Sequence, residues 1–385
     1  MMTMRFGSGG RPEGAIFRKL GQVRWLFVLL LCIVGAVGGV MLYSAADGDL
    51  QPWAVRHVIR FAFALGLLLM IAITDIRIWM QYAYVLYAGA LVLLVAVEIA
   101  GTIGMGAQRW IDLGIINVQP SELMKIALIL SLARYFHRSS AEELRRPWKL
   151  IVPALLVAVP TVLVLKQPDL GTAVMLVAGG ISLFFCAGVP IWIFAVGLVG
   201  GLAALPVGWE MLHDYQRQRV LTFLNPESDP LGSGYHILQS KIALGSGGLF
   251  GKGFLQGTQS QLNFLPEKQT DFIFTMFAEE FGLFGTTALL GVYALILAYC
   301  FGIAMTSRSQ FGRLVAIGVT TTFFLYVFIN IAMVMGLIPV VGVPLPLVSY
   351  GGTAVLSVML GFGMLMSVYV HRHTPISRHS TGTDP

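Results

Sequence analysis

Ten apolar stretches, most of them near the roughly 20 residues a helix needs to cross a bilayer, dominate this 385-residue chain. They run Trp25–Tyr43, Trp53–Ile73, Ile78–Ala100, Pro120–Phe136, Leu150–Leu165, Thr172–Ala187 and Ile191–Val207. A long polar segment separates these from Phe272–Met305, Leu314–Leu337 and Thr353–Val370. Inside hydrocarbon, every backbone N–H and C=O must find its partner within the protein, and helices meet that demand segment by segment. The expected fold is an all-α integral membrane protein, a bundle of about ten transmembrane helices with one long extracytoplasmic loop between helices seven and eight. The fifth and sixth segments are short, and Pro153 and Pro160 interrupt the fifth, so those boundaries are soft.

Composition excludes a soluble reading. Hydrophobic residues make up 56% of the chain and charged residues 11%, against roughly 25% charged in a soluble domain, and the mean hydropathy is +0.79. The 44 glycines suit helices that pack closely in a membrane. Cys32, Cys186 and Cys300 each sit alone in an apolar run; they match neither a metal spacing nor a disulfide framework and read as small hydrophobes. The first apolar run lacks a small-residue cleavage site, so an uncleaved first span is expected.

The net charge of +6 is explained by topology rather than by nucleic acid. Arg5, Arg11, Arg18, Lys19 and Arg24 precede the first helix; Arg77 follows the second. Arg134, Arg138, Arg145, Arg146 and Lys149 follow the fourth, Arg308 and Arg313 the eighth, and Arg372 and Arg378 the tenth. All fall on one predicted face, which the positive-inside rule makes cytoplasmic together with both termini. There they meet the anionic headgroups of membrane lipid. The expected organisation is a tail over 1–23, a membrane domain over 24–373 that includes an outer loop over 209–270, and a tail over 374–385. In that loop Tyr235–Gly245, with Ile237, Leu238, Lys241 and Ile242, has the spacing of an amphipathic helix lying along the membrane surface, with a solvated connector as the alternative.

Ionisable residues within or beside membrane helices are costly and mark function by default. Glu122 and Lys125 stand three apart at the start of the fourth helix, on one face, as a structural ion pair or a substrate contact. Asp169 is placed to cap the sixth helix, which leaves neighbouring Lys166 to face an anion. Arg109, beside Trp110, is an interfacial anchor or a bidentate phosphate ligand. Asp271 opens the eighth helix, as an acid favoured by the helix dipole or as a partly desolvated base. The run Gly245–Gly253, which contains Lys252, supplies amides for a phosphate nest or for a hinge.

These stretches together resemble the RodA branch of the SEDS (shape, elongation, division and sporulation) family. The resemblance rests on Gln119–Lys125, on Tyr215–Arg219 and Asn225–Pro230, on the glycine run, on Leu265–Phe274 and on Pro339–Gly352. It covers nearly the whole chain. It implies a peptidoglycan glycosyltransferase of the bacterial cytoplasmic (inner) membrane. Such an enzyme polymerises lipid II during elongation and works with a class B penicillin-binding protein that crosslinks the strands. It also implies that Asp271 is essential; Gln269 departs from a histidine that relatives often carry.

The chemistry asks for one base and for stabilisation of pyrophosphate charge. Asp271 is the expected base. Arg109, Lys125, Lys166, Arg217, Arg219, Lys241 and Lys252 are the expected phosphate ligands, with Glu122 positioning Lys125. No cofactor is certain; a divalent cation is admitted, without a ligand cluster to mark its site. The alternative is a lipid II flippase, for which buried charge and broken helices also speak, although the two halves show no matching breaks.

Overall fold

The computed structural model describes residues 18–104, 107–112, 117–211, 214–225, 233–261, 267–374 and 376. All ten expected segments are helical, and among the described residues of the polar segment lie two further helices of more than ten residues and a single turn, Thr258–Gln261. In chain order they are α1 (Trp25–Ala45), α2 (Ala54–Ile73), α3 (Ile76–Ala100), α4 (Pro120–Arg138), α5 (Ile151–Lys166) and α6 (Leu170–Ala187). Then follow α7 (Ile191–Met211), α8 (Asp214–Leu224), α9 (Ser233–Ser246), α10 (Ile273–Thr306), α11 (Gln310–Val334) and α12 (Gly352–Val370).

Among the described residues, eight helices are long and apolar enough to cross a membrane. Two of the expected spans are not among them. Charged residues lower the hydropathy of α4, and the apolar part of α7 is short, Ile191–Ala204. The chain is a multi-pass membrane protein.

Local chemistry sets several of the boundaries. Asp75, Asp169 and Ser309 cap α3, α6 and α11 by accepting from the N–H groups of Arg77, Thr172 and Gly312, each satisfying one donor the helix start leaves over. Pro120 begins α4, where its missing N–H costs nothing.

The basic segments share one face. Lys19 Nζ donates to the Ile73 carbonyl at 3.0 Å, and Arg308 N to the Arg372 carbonyl at 3.3 Å. On the opposite face, the loop face, Lys268 pairs with Asp47 at 3.6 Å. In the interior α2 lies along α12, while α11 packs against α4, α6, α10 and α12.

Three features of the loop face were not expected from sequence. Thr102–Gly104 (β1), Ala107–Asp112 (β2) and Asn117–Val118 (β3) form a small antiparallel sheet in the order β1-β2-β3. Helix α7 itself continues past Trp209 to Met211, so the expected loop start lies inside a helix. Third, α10 is broken: Gly282 has φ 63° and ψ −160°.

Across that break the glycine run pairs with α10 backbone to backbone. Lys252 N and Gly253 N donate to the carbonyls of Glu279 and Glu280, both at 3.0 Å. Leu283 N and Phe284 N donate to Gly248 and Leu249 at 2.9 and 3.1 Å. The backbone groups freed at the break are thereby satisfied within the protein, as irregular structure at membrane depth requires. A Cβ on Gly282 would stand 2.3 Å from Gly251 N, so only glycine fits. The amides of Lys252 and Gly253 are spent on α10, as those of an open phosphate nest would not be.

Candidate functional site on the loop face

Asp271 stands two residues before α10 and is half-buried. Its main chain is fixed from three directions. Asn330 of α11 donates to the Asp271 carbonyl at 2.9 Å and to the Val343 carbonyl at 2.8 Å. Ser349 Oγ donates to the Thr270 carbonyl at 2.6 Å, and Tyr350 N to the Gln269 carbonyl at 2.8 Å. The proline-rich segment between α11 and α12 is thus bonded to the Thr-Asp-Phe turn, and Tyr293 anchors that segment by donating to the Pro346 carbonyl at 2.7 Å. The Asp271 carboxylate lies against Gly342. Gln269 donates to Glu267 Oε2 at 3.3 Å.

Beside this turn is a cavity of about 800 Å³ between α2, the sheet and the start of α12. Arg56 and Arg60 line it together with Trp110, Asp112, Asn117 and Tyr350. The Arg60 guanidinium lies over the Tyr350 ring, 4.9 Å from its centroid, and no carboxylate lies within 4 Å of either arginine among the described residues. The first turn of α12 also borders the cavity, adding a helix N-terminus favourable to anions. These two arginines were missed by sequence reasoning. Their signal was present: two basic residues at i and i+4 share one face of an otherwise apolar helix.

One turn further into the bundle lies the Glu122–Lys125 pair. Lys125 Nζ donates to Glu122 Oε1 at 2.7 Å and contacts the Tyr326 hydroxyl. The Tyr326 hydroxyl and Ser357 Oγ each donate to Glu122 Oε2 at 2.5 Å. All four side chains are buried. They border a space of about 20 Å³, room for about one water molecule. Tyr326 and Asn330 are one turn apart on α11, so the helix face that receives the ion pair also holds the Asp271 turn.

The remaining candidates fall into two groups. Strand alternation sends Arg109 away from Trp110 and Asp112: its Nε and Nη2 donate to the carbonyls of Gln167 and Pro168 at 3.3 and 2.5 Å. Arg109 is also 4.0 Å from Asp169, which accepts from Gln119 at 3.3 Å. Arg217 donates to the carbonyls of Trp209 and Glu210 at 2.9 and 2.6 Å, closing the end of α7. Lys252 pairs with the buried Glu279 at 2.7 Å. Their donors are engaged by the chain itself.

Lys166 and Lys241 are exposed and form no ion pair among the described residues. Lys241 lies on α9, which docks on α10 and α11 through Ser240, whose hydroxyl donates to the Val334 carbonyl at 2.7 Å. Lys241 also borders an apolar groove of about 490 Å³ between α9, α10 and α11. Arg219 belongs to α8, but its side chain lies outside the described residues.

Known proteins share this plan. The FtsW/RodA/SpoVE family, described as cell cycle proteins, matches residues 23–374. The peptidoglycan glycosyltransferase MrdB of Escherichia coli (strain K12) is 49% identical over 348 residues, covering 90% of this chain and 93% of that protein. Among solved structures, a chain from a peptidoglycan synthase complex that coordinates polymerization and crosslinking superposes with a TM-score of 0.77 at 33% identity. It covers 92% of this chain and 99% of that one. The rod shape determining protein RodA of Thermus thermophilus superposes with a TM-score of 0.70 at 30% identity, covering 92% and 98%.

Proposed function

The chain belongs to the FtsW/RodA/SpoVE family, and from that premise we propose that it is a peptidoglycan glycosyltransferase that polymerises lipid II on the loop face, with Asp271 as general base. The observation that carries this reading is the fixed Asp271 turn beside a large cavity lined by two arginines that form no ion pair among the described residues. In the reaction an acceptor hydroxyl attacks the anomeric carbon of the donor sugar, and the bond from that carbon to the pyrophosphate oxygen breaks. Undecaprenyl pyrophosphate leaves, and Asp271 takes the hydroxyl proton.

Asp271 is suited to this by position. Its backbone is held by Asn330 while its carboxylate borders the loop face, so the base is oriented before substrate arrives. Arg56 and Arg60 are the phosphate ligands this reading adds to Lys166 and Lys241. Lys125 acts through Glu122, Tyr326 and Ser357, which join α4, α11 and α12 beneath the cavity. The groove beside Lys241 is the bed for the polyprenyl tail.

A divalent cation is the cofactor that this reading admits. Among the described residues no three His, Cys, Asp or Glu side chains converge. A cation would therefore be bound as magnesium commonly is, by one or two carboxylates and the substrate's phosphates, with Asp112, which lines the cavity, as the candidate.

The reading places the protein in the bacterial cytoplasmic membrane with both termini inside, beside a class B penicillin-binding protein. The likeness to a peptidoglycan synthase complex supports that partner class. The deciding experiment is polymerisation in detergent, where no second leaflet exists and a lipid flippase has nothing to do. Purified protein with its partner is expected to build glycan from lipid II, and Asp271→Asn to slow it by about 100- to 10,000-fold while still binding substrate. Absence of polymer from the wild type, or a normal rate from the variant, would overturn the assignment.

A further inference from the structure

Among the described residues, two arginines on the basic face have no carboxylate partner. Arg24, the N-cap residue of α1, and Arg372, just past α12, both lie over the ring of Tyr369, their guanidinium carbons 4.8 and 4.4 Å from its centroid. Arg372 also donates to the Tyr369 carbonyl at 3.0 Å. Among the described residues neither arginine forms an ion pair. Two carboxylates of this face are engaged elsewhere: Asp75 accepts from Arg77 N at 2.9 Å, and Glu143 pairs with Lys149 at 3.5 Å.

Beside this pair a slot of about 330 Å³ runs between Arg24, Tyr369 and the last turns of α10, floored by Leu295, Ala298, Gly302 and Ile303. Leu295 is 53% exposed and Trp25, next to Arg24, is also 53% exposed. A half-exposed tryptophan at a helix start sits at headgroup depth, which sets Arg24 at the same level. Two like charges are thus gathered at one ring above an apolar strip that continues toward the bilayer centre. That is the complement of a molecule with an anionic head and an acyl chain, and basic pockets between helices on the cytoplasmic side bind lipids of this kind. A partner helix, about 10–12 Å across with its side chains, needs a broader bed.

We propose that this slot is a specific site for an anionic phospholipid, its phosphate held by Arg24 and Arg372 and one acyl chain lying along α10 from Gly302 to Leu295. The site is separate from the loop-face cavity and does not depend on the activity assigned there.

Native mass spectrometry of the purified protein, with phosphatidylglycerol or phosphatidylcholine of identical chains added, tests it. The wild type is expected to retain phosphatidylglycerol about tenfold better or more, and Arg24→Gln/Arg372→Gln to lose that preference. Arg145→Gln/Arg146→Gln removes the same charge from the same face and is expected to keep it. Melting curves check the fold of each variant. Should the first variant not fold, phosphatidylglycerol with a photoreactive chain, added to the wild type, is expected to label the stretch 295–306. Equal retention of the two lipids by the wild type overturns the proposal. So does an equal loss of preference in the two double variants, labelling elsewhere, or a crosslinker at Gly302 that captures a partner's transmembrane helix instead of lipid.

Discussion

Asn330 donates both of its amide hydrogens to main-chain carbonyls, those of Asp271 at 2.9 Å and Val343 at 2.8 Å. One side chain on α11 therefore joins the Thr-Asp-Phe turn to the proline-rich segment before α12. Asn330 itself is buried, so each bond replaces one that water cannot supply.

Replacing Asn330 with leucine keeps the branched shape but strips both carbonyls of their donor. Unsatisfied buried groups cost about 1–3 kcal/mol each, so the melting temperature should fall measurably. Because the displaced group carries Asp271, polymerisation should fall by about tenfold or more, one power of ten per roughly 1.4 kcal/mol of lost transition-state stabilisation. A variant that melts lower yet polymerises at the normal rate would show that Asn330 stabilises the fold without orienting the base.

The Glu122–Lys125 pair separates charge from position. Lys125→Met leaves Glu122 buried and uncompensated, which typically costs about 3–5 kcal/mol. Glu122→Leu/Lys125→Met removes both charges and should recover most of that loss in a melting measurement. Polymerisation by the double variant should stay low, because Tyr326 and Ser357 lose the carboxylate that ties α11 and α12 to α4. Full activity in a well-folded double variant would remove the pair from the positioning network.

Arg56 and Arg60 offer the reverse test. Neither makes an ion pair among the described residues, and Arg56 is exposed, so Arg56→Gln/Arg60→Gln should leave the melting temperature nearly unchanged. Charge-assisted bonds to a phosphate are worth about 1.5–3 kcal/mol, so KM for lipid II should rise by about tenfold or more. An unchanged KM would place the pyrophosphate elsewhere.

The break in α10 predicts two opposite alanine effects. At Gly282 or Gly251 a Cβ would stand 2.3 and 2.1 Å from backbone atoms of the other segment, both at positive φ. Alanine there should cost roughly 1–3 kcal/mol through strain. Gly245, inside α9, has nothing within 4 Å of an added Cβ, so alanine there should be neutral or stabilise by up to about 1 kcal/mol. Thermal melting of the three variants reads the contrast directly.

The sequence by itself determined the helices and the chemistry of their ends. Helix formation in a membrane depends on local runs of apolar side chains, so the ten segments were legible, as were the cap at Asp169 and a helix over Tyr235–Gly245, observed as Ser233–Ser246. It also marked Asp271, Glu122 and Lys125, because charge in an apolar context stands out in one dimension. What only the tertiary structure decided is which charges are already used. Arg109, Arg217 and Lys252 look like free cations in the sequence, yet each is held by carbonyls or by Glu279 from segments up to 59 residues away. Arg56 and Arg60 were passed over in the sequence, yet folding brings the sheet and the start of α12 around them. The break at Gly282 was hidden for the same reason, since its freed backbone groups are satisfied by a glycine run some thirty residues earlier. Hydrogen bonds and ion pairs between distant segments depend on the packing of helices, and a linear pattern of apolar and charged residues carries no record of that packing.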